Sequence, residues 1–495
     1  MSPSDKICDQ NSGFLNQFCY NNPVFPKGSG TEKMDQLIIP RAEHSISRRM
    51  IDEEALKVLY RLHRHGFLAY LVGGSVRDIL LGKTPKDFDV ATNAHPHEIS
   101  VLFKNSRVIG RRFRLVHVFF KGGKIIEVST FRSRSEFEEV QTEKGDIIRT
   151  DSFGTPAEDA LRRDITVNGL FYNIADFSII DYVGGMADLE RQVIRTIGDP
   201  DERFQQDPVR MIRVIRHAAR TGFSIEGRTY QAIFRNREEI RKCSPSRLRD
   251  EFLRDLKEGA ARSSLSLMLQ TGLLFSLFPG LERALGRGGL SEKKSRGFFL
   301  SLFDLVDQLF KTGRQVTESI LLALLLTPFL RAVTPQHPFL GKREKYIYWA
   351  QSIHWAIHEI LTPFSFPRGA KEMASQILIA QSNLRKSIKN GVIPKRLRMK
   401  KYFKEAVLLF GIEAEAKGEK VPRILQNAVS ADFLLWWPKK LKTRDQRLRE
   451  RDVPQTGAQE SGGKTTLSAC SNRPLAGEEM RSSDSGKTGV SLLHE

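Results

Sequence analysis

The stretch that decides the fold is LVGGSVRDILLGKTPKDFDV, residues 71–90. It ends with Asp87 and Asp89 on either side of Phe88. On a strand, residues i and i+2 point to one side about 7 Å apart, so both carboxylates face one way while Phe88 faces inward. Like charges this close repel each other, and a hard cation such as Mg²⁺ relieves the repulsion. The pattern predicts a metal site, although ordinary acids at a solvated strand end are the alternative.

The same stretch begins with a glycine turn between a short apolar strand and a helix. Gly73 and Gly74 expose backbone N–H groups at the helix start, where the positive end of the dipole favours a triphosphate. Arg77 lies one turn inside the helix and can fork onto phosphate oxygens. A plain tight turn with Arg77 on a wet helix face is the alternative. Glu127, in a later strand, is placed to add a third carboxylate to the aspartate pair.

The whole chain is long and basic. Its 495 residues and 40% hydrophobic content suffice for several domains with sizeable cores. A net charge of +20 favours a polyanion as partner, nucleic acid before an acidic membrane. The four cysteines lack CxxC spacing, which argues against a disulfide framework or a thiolate zinc site. The chain shows no signal peptide and its longest apolar run, residues 319–330, is too short to span a membrane, so we expect a cytoplasmic protein.

Local patterns divide the chain into a mixed head and a helical remainder. Between residues 52 and 130, helical periodicity alternates with runs rich in Val, Ile and Phe, which predicts alternating helices and strands. Beyond about residue 185 helical periodicity dominates. We expect five segments: a disordered leader (1–38), an α+β head (39–184), a helical neck (185–260), a helical body (261–440) and a basic, then low-complexity, disordered tail (441–495).

A capping box marks the next motif, TPAEDALRRDITVNGLFY, at residues 155–172. Thr155 as N-cap, Pro156 at the first helical position and Glu158 three residues after the cap predict a helix start. Charged and polar residues follow at Arg162, Arg163, Asp164 and Asn168. By themselves they fit a surface charge pair on a helix equally well.

The last motif is QQDPVRMIRVIR, residues 205–216. Pro208 at the first helical position makes Asp207 a natural N-cap, whose carboxylate would satisfy backbone donors. Arg210 and Arg213 follow on a similar face, opposite an apolar side. The residues therefore allow either a structural cap or a recognition site.

Taken together, GGxxRD, a short loop and DxD resemble the signature of the polymerase β-type nucleotidyltransferases. From about Ile39 to about Trp437 the chain is similar to the class II family of bacterial poly(A) polymerases and CCA-adding tRNA nucleotidyltransferases. The resemblance implies a polymerase β-like nucleotidyltransferase head followed by a mainly α-helical neck and body. It also implies template-independent addition of nucleotides to RNA 3′ ends, with Asp87 and Asp89 holding two Mg²⁺ ions and ATP as the substrate.

The resemblance further implies roles for the charged residues of the two helical motifs. Arg162 and Arg163 would contact the phosphates and ribose, Asp164 would take part in the active site, and Asn168 would assist at the sugar. In the neck, Asp207 would accept from the base amino group while Arg210 donates to the adjacent ring nitrogen. The family usually has Glu-Asp-Pro here, whereas this chain has Gln206 before Asp207. The candidate catalytic residues are Asp87, Asp89, Glu127 and Asp164, and the candidate nucleotide-binding residues are Gly73, Gly74, Arg77, Arg162, Arg163, Asn168, Asp207, Arg210 and Arg213.

The choice within the family rests on VIGRRFRLVHVFF, residues 108–120. This stretch resembles the one that marks the poly(A) polymerases, including Arg111, Arg112, Phe113 and His117. An ordinary strand with alternating arginines is the alternative account. We therefore expect a poly(A) polymerase acting in RNA polyadenylation and decay. The alternatives are a CCA-adding or A-adding tRNA nucleotidyltransferase and a non-catalytic RNA-binding scaffold.

Basic stretches in the body and tail complete the sequence signals. Residues 383–404 interleave Lys and Arg with apolar residues, as an RNA backbone-binding surface would, although a solvated helix face is the alternative. Residues 439–451 form a second basic stretch. His354 and His358 lie one turn apart but lack a third ligand, so we expect ordinary histidines. We expect RNA 3′ ends and ATP as partners, no membrane, and a monomer.

Overall fold

The structure, a computed structural model, describes residues 36–110, 114–133, 138–141, 147–150, 153–286, 290–333 and 341–429. These residues belong to one compact unit. Most of the predicted leader, the whole predicted tail and the basic stretch 439–451 lie outside the described residues. Arg111, Arg112 and Phe113 also lie outside them, so their part in the choice of poly(A) polymerase stays a prediction.

The head is built on an eight-stranded sheet in the order β1-β10-β9-β2-β3-β6-β5-β4. Strands β3 and β6 run parallel, whereas the other neighbours in this sheet are antiparallel. Two further strand pairs, β7–β8 and β11–β12, stand apart from it. The strands of the described chain are β1 (Leu37–Ile39), β2 (Ala69–Val72), β3 (Asp89–Thr92), β4 (Ser106–Ile109), β5 (Leu115–Phe119), β6 (Ile125–Thr130), β7 (Glu138–Gln141), β8 (Ile147–Thr150), β9 (Leu170–Asn173), β10 (Ile179–Asp181), β11 (Val193–Ile194) and β12 (Ser224–Ile225).

Helices cover one face of the sheet and then make up nearly all of the chain beyond it. The helices of the described chain are α1 (Glu53–Arg64), α2 (Gly74–Leu80), α3 (Pro96–Leu102), α4 (Pro156–Leu161), α5 (Gly185–Glu190), α6 (Pro200–Gln206), α7 (Val209–Thr221), α8 (Gly227–Asn236), α9 (Pro245–Lys257), α10 (Ala261–Gln270), α11 (Leu273–Leu277), α12 (Glu282–Leu285), α13 (Leu290–Lys311), α14 (Glu318–Val333), α15 (Lys342–Leu361), α16 (Arg368–Lys389), α17 (Lys395–Arg398), α18 (Phe403–Ala416) and α19 (Arg423–Gln426). Short 3₁₀ turns lie at Arg41–Glu43, Arg48–Met50, Lys121–Gly123, Thr166–Asn168, Arg237–Lys242 and Pro279–Leu281.

Both faces of the head sheet are packed. On the first face, α1, α2 and α3 bury an apolar layer that includes Leu71, Val90 and Val128 from adjacent strands. On the second face, Val72 and Phe171 belong to a smaller cluster. Because strand residues alternate between faces, Leu71 and Val72, which are consecutive on β2, face opposite sides of the sheet. The predicted α+β head is confirmed.

The first predicted helix shows how local sequence sets the elements of the head. Asp52 accepts hydrogen bonds from the N–H groups of Glu54 and Ala55, at 3.0 and 3.4 Å, and so caps α1 as an N-cap residue does. After α1 the chain turns at Gly66, whose φ of +83° is the left-handed conformation that glycine adopts most readily. The predicted helix, turn and strand at residues 52–72 are confirmed.

Residues 108–120 do not form the single strand that their composition suggests. They divide between β4 and β5, which pair antiparallel with Val108 facing Val116. Gly110 has φ +93°, which turns the chain after β4. The segment is therefore two paired strands, and the alternation at Arg112 and Phe113 that the ordinary-strand alternative assumes lies outside the described residues.

One continuous apolar core joins residues of the head, from Ile165 onward, to the later helices as far as Leu425. The apolar run at residues 319–330 is the buried helix α14, which continues through Pro328 to Val333. The segment boundaries predicted at 184/185 and 260/261 stay predictions. Among the residues described, no helix is long and apolar enough to cross a membrane.

Candidate active site

A row of facing side chains crosses the head sheet at the level of Asp89. Val72 pairs with Asp89, Asp89 with Glu127, and Glu127 with His117. Residues paired in register project from the same face, so the row changes from apolar to acidic between β2 and β3. His117 Nε2 lies 3.2 Å from Glu127 Oε1. The predicted third carboxylate is therefore next to Asp89 and in contact with a histidine.

The two aspartates are exposed, whereas Phe88 between them packs against the head core. Strand β3 begins at Asp89, so Asp87 lies just before the strand rather than on it. Desolvation by surrounding protein and repulsion from Glu127 and Asp87 raise the pKa of Asp89 to about 6, against the lowering effect of Arg163. The carboxyl is thus open to water on one side yet crowded by protein and negative charge. A divalent cation relieves such crowding.

The glycine turn brings the strand end and Arg163 together. Gly73 has φ +76° and ψ −138°, a conformation that side chains disfavour. A Cβ at this position would also lie 3.2 Å from Arg163 Nη1. The Arg163 guanidinium in turn stacks over Phe171, 5.1 Å from the ring centroid. Arg163 is therefore a cation that lies directly beside Gly73.

Arg77 lies beside Gly74, where a Cβ would be 3.4 Å from its Nη2, and it belongs to a buried polar cluster. Its side chain is 6% exposed, and Nε and Nη2 donate to Asp78 Oδ1 at 2.9 and 2.7 Å. Nη1 donates to Asn168 Oδ1 at 2.6 Å and lies 3.4 Å from His217 Nδ1. Burial and the neighbouring Arg77 lower the pKa of His217 well below its usual range, so the imidazole is neutral and one of its two ring nitrogens can accept a hydrogen bond. Phosphate binding by Arg77 stays a prediction.

Arg162 and Arg163 follow α4, which ends at Leu161. The predicted capping box is confirmed, because Glu158 N–H donates to Thr155 Oγ1 and the Thr155 N–H donates to Glu158 Oε2. Asp159, 2% exposed, accepts from Arg162 Nε at 2.9 Å and from Arg163 Nη2 at 3.0 Å. Burial alone would raise the pKa of Asp159, but the two arginines hold it below its usual value. Asp159 thereby fixes both guanidinium groups.

Asp164 lies against the neck helix α7. Its Oδ1 is 2.7 Å from Arg210 Nη1 and its Oδ2 is 2.5 Å from Arg213 Nε. Both carboxylate oxygens are therefore occupied by arginines that the sequence assigns to nucleotide binding. The structure brings Asp164 together with Arg210 and Arg213.

The Asp207 carboxylate does not cap α7, which corrects that alternative. Its Oδ2 accepts from Arg247 Nη2 of α9 at 2.8 Å, while the Arg210 N–H bonds to the backbone oxygen of Asp207. Within the described chain, Asp207 Oδ1 and Arg210 Nε are buried and have no hydrogen-bond partner. Arg210 Nε lies 3.7 Å from Asp207 Oδ2, too far for a hydrogen bond. A free acceptor thus lies close to a free donor.

The basic body stretch 383–404 presents its charges and buries its apolar residues. It covers the end of α16, all of α17 and the start of α18. Leu384, Ile393 and Phe403 are buried in the body core. The exposed cations are Arg385, Lys386, Lys389, Lys395, Arg396, Arg398, Lys400, Lys401 and Lys404. His354 and His358 are exposed on α15.

With this geometry in view, comparison with known proteins identifies the head. Residues 69–195 match the family model described as the poly A polymerase head domain. Residues 69–195 therefore resemble a poly A polymerase head domain. Residues 222–285, which follow this matched segment, match a model described as the probable RNA and SrmB-binding site of polymerase A. The resemblance to the family of poly(A) polymerases and CCA-adding enzymes is confirmed.

Relatives and a solved structure agree with the match of residues 69–195. Poly(A) polymerase I of Salmonella typhi is 48% identical over 258 residues, 51% of this chain and 55% of that protein. The CCA-adding enzyme of Bacillus pumilus is 38% identical over 229 residues, 46% of this chain and 56% of that protein. The chain thus spans about half the length of the curated relatives it matches. The crystal structure of the Bacillus stearothermophilus CCA-adding enzyme in complex with CTP matches this chain with a TM-score of 0.55 at 24% identity. The match covers 82% of this chain and 93% of that one, so the two proteins share a fold.

Sequence reasoning missed four residues that organise this region. Asp159 could have been found, because it lies three and four residues before Arg162 and Arg163 on a helix. Arg203 donates to the backbone oxygens of Arg162 and Arg163, at 2.7 Å each, from about 40 residues away. His217 and Arg247 also act across long sequence separations, and no local pattern marks them.

Proposed function

We propose that this protein adds AMP from ATP to RNA 3′ ends without a template and releases pyrophosphate. The observation that carries the proposal is the free acceptor of Asp207 beside the free donor of Arg210. Adenine presents an amino donor next to a ring-nitrogen acceptor, so its edge is complementary to this pair. Cytosine shares that pattern, whereas guanine and uracil present a carbonyl acceptor beside an N–H donor. The pair therefore supports use of ATP or CTP.

The acidic row supports Mg²⁺ as the cofactor. In the described ranges, no group of three or more His, Cys, Asp or Glu residues is gathered closely enough to hold a metal ion. Mg²⁺ needs no such cage, because it is commonly bound by one or two carboxylates together with substrate phosphates. Asp87 and Asp89 offer only carboxylate oxygens as metal ligands. The raised pKa of Asp89 fits a carboxyl group whose negative charge a bound cation would stabilise. We propose that they hold two Mg²⁺ ions, which would activate the RNA 3′-hydroxyl and stabilise the leaving pyrophosphate.

The remaining residues of the head would position the nucleotide. Gly73 and Gly74 would present their backbone N–H groups to phosphates at the start of α2, and Arg163 and Arg77 beside them supply positive charge. Asp159 holds Arg163 in place before any nucleotide arrives. Asn168 would reach the sugar, with Arg77 fixing its side-chain amide from the other side. Positioning of this kind provides most of the rate enhancement in phosphoryl transfer.

The relatives favour poly(A) addition over CCA addition. Those named poly(A) polymerase I are 44% to 48% identical, whereas the CCA-adding enzymes are 35% to 38% identical. CCA addition is kept as the second candidate because cytosine fits the same acceptor and donor. We further propose that the exposed cations of residues 383–404 bind the RNA backbone, in the cytoplasm.

The test is nucleotide incorporation by the purified full-length protein. With Mg²⁺, ATP and a short single-stranded RNA, we expect long A tracts, and Asp89→Asn should abolish them. A tRNA that lacks its 3′ CCA serves as the second substrate, with ATP and CTP supplied. Incorporation that stops after three residues would favour CCA addition, and no incorporation into either RNA would reject both candidates.

A further inference from the structure

Each side chain of the proposed base-reading pair is held by another charged residue, which leaves one buried atom of each without a partner. Arg210 has its Nη1 engaged by Asp164 at 2.7 Å, which leaves Nε free. Asp207 has its Oδ2 engaged by Arg247 at 2.8 Å, which leaves Oδ1 free. Arg247 thus fixes one oxygen of the Asp207 carboxylate, and Asp164 fixes one nitrogen of the Arg210 guanidinium. Each engaged atom decides which atom remains for a base.

Without Arg247 the pair would be able to close on itself. Arg210 Nε already lies 3.7 Å from Asp207 Oδ2, and a small rotation would bring them into a direct ion pair. Arginine and carboxylate form such pairs readily, because two N–H groups match two oxygens. That pair would consume both the acceptor and the donor that face the base. Arg247 competes for Oδ2 and so prevents the closure.

We propose that Arg247 is a specificity-determining positioning residue that keeps Asp207 Oδ1 and Arg210 Nε unpaired, so that both remain available to the base. This inference rests on the nucleotide-binding part of the proposed function. Arg247 stands on α9, within residues 222–285, and its side chain is 50% exposed. It touches Asp207 rather than the base, so it acts on selection through the carboxylate.

The experiment measures nucleotide binding without RNA, so that an RNA contact by Arg247 has no influence. ATP and UTP compete with a ribose-labelled fluorescent ATP for wild type, Arg247→Ala, Arg247→Lys and Arg254→Ala. Arg254 is the matched control, because it lies on the same helix, is 52% exposed and has Glu251 only at 3.9 Å. We expect Arg247→Ala to lower the preference for ATP over UTP roughly tenfold, Arg247→Lys to restore part of it, and Arg254→Ala to keep it.

A double-mutant cycle separates positioning from general damage. If Arg247 acts through Asp207, adding Arg247→Ala to Asp207→Ala should leave the remaining ATP-to-UTP ratio unchanged. An unchanged ratio in the single Arg247→Ala variant, or independent effects in the cycle, overturns the inference. If the preference for ATP over UTP depends on Arg247 but the protein adds no tails, only the proposed activity is rejected. If the protein adds tails but this preference does not depend on Arg247, only the present inference is rejected.

Discussion

Replacing Asp207 with asparagine should reverse the hydrogen-bonding character of the atom that faces the base. Arg247 Nη2 is a donor and contacts Oδ2 at 2.8 Å, so it will select the amide oxygen of Asp207→Asn. The amide NH₂ group then occupies the place of the free oxygen. Adenine would meet a donor where it needs an acceptor, and the O4 of uracil would gain a donor.

The size of the effect follows from the hydrogen bond that is lost. A hydrogen bond to a charged group contributes about 1.5–3 kcal/mol, so kcat/KM for ATP should fall roughly 10- to 150-fold. The ratio of ATP to UTP should fall further, because the new NH₂ group also favours UTP. Shape and volume are nearly conserved, and the Arg247 contact is kept, so the fold should be unaffected.

The assay is single-nucleotide incorporation with each of the four triphosphates on one short RNA. Circular dichroism and the urea midpoint serve as controls for folding. If Asp207→Asn leaves the ratio of kcat/KM for ATP to that for UTP at the wild-type value, the recognition pair is misassigned. A uniform loss for all four triphosphates would likewise contradict base reading by Asp207.

Three further outcomes follow from the structure. Because the pKa of Asp89 is about 6, protons should compete with Mg²⁺ below that pH and lower the affinity of the protein for Mg²⁺ about tenfold per pH unit. Calorimetric titration with Mg²⁺ measures this affinity, and a value that stays constant down to about pH 4 would contradict the prediction. Arg216→Met should leave buried Asp255 unpaired and lower the free energy of unfolding by about 3–5 kcal/mol, as measured by urea denaturation. The loss should be smaller in a double variant in which Asp255 is also replaced by an apolar residue. Replacing Lys400 and Lys401 with alanine should reduce the slope of log RNA affinity against log salt by about 1.4, and an unchanged slope would exclude this surface from the RNA path.

Elements with local signals could be predicted from the sequence. Asp52 and the Thr155–Glu158 box act within three residues of themselves, so their residue types alone set the starts of α1 and α4. The acidic pair and the glycine turn are local for the same reason. Residues 108–120 were harder, because composition favours strands but does not show where Gly110 turns the chain.

Side-chain partners that are distant in sequence could not be predicted. Arg77 contacts Asn168 and His217, which are 91 and 140 residues away, so its direction depends on how the neck packs against the head. Asp207 is a second example. Its position before Pro208 favours a helix cap, but Arg247, 40 residues later in the sequence, donates a hydrogen bond to its carboxylate instead. A hydrogen bond between two charged groups outweighs one from a neutral backbone N–H to the same carboxylate, and only the tertiary fold brings Asp207 and Arg247 together.

The grip of Asp164 on Arg210 also has a thermodynamic consequence. A free arginine side chain loses rotamer entropy when a ligand immobilises it, at a cost of about 0.5–1.5 kcal/mol. Arg210 is already immobilised in the empty protein, by a contact of 2.7 Å and with only 13% of its side chain exposed. A nucleotide therefore meets a preorganised partner, and the rigidity that a template strand owes to base stacking is supplied here by an ion pair.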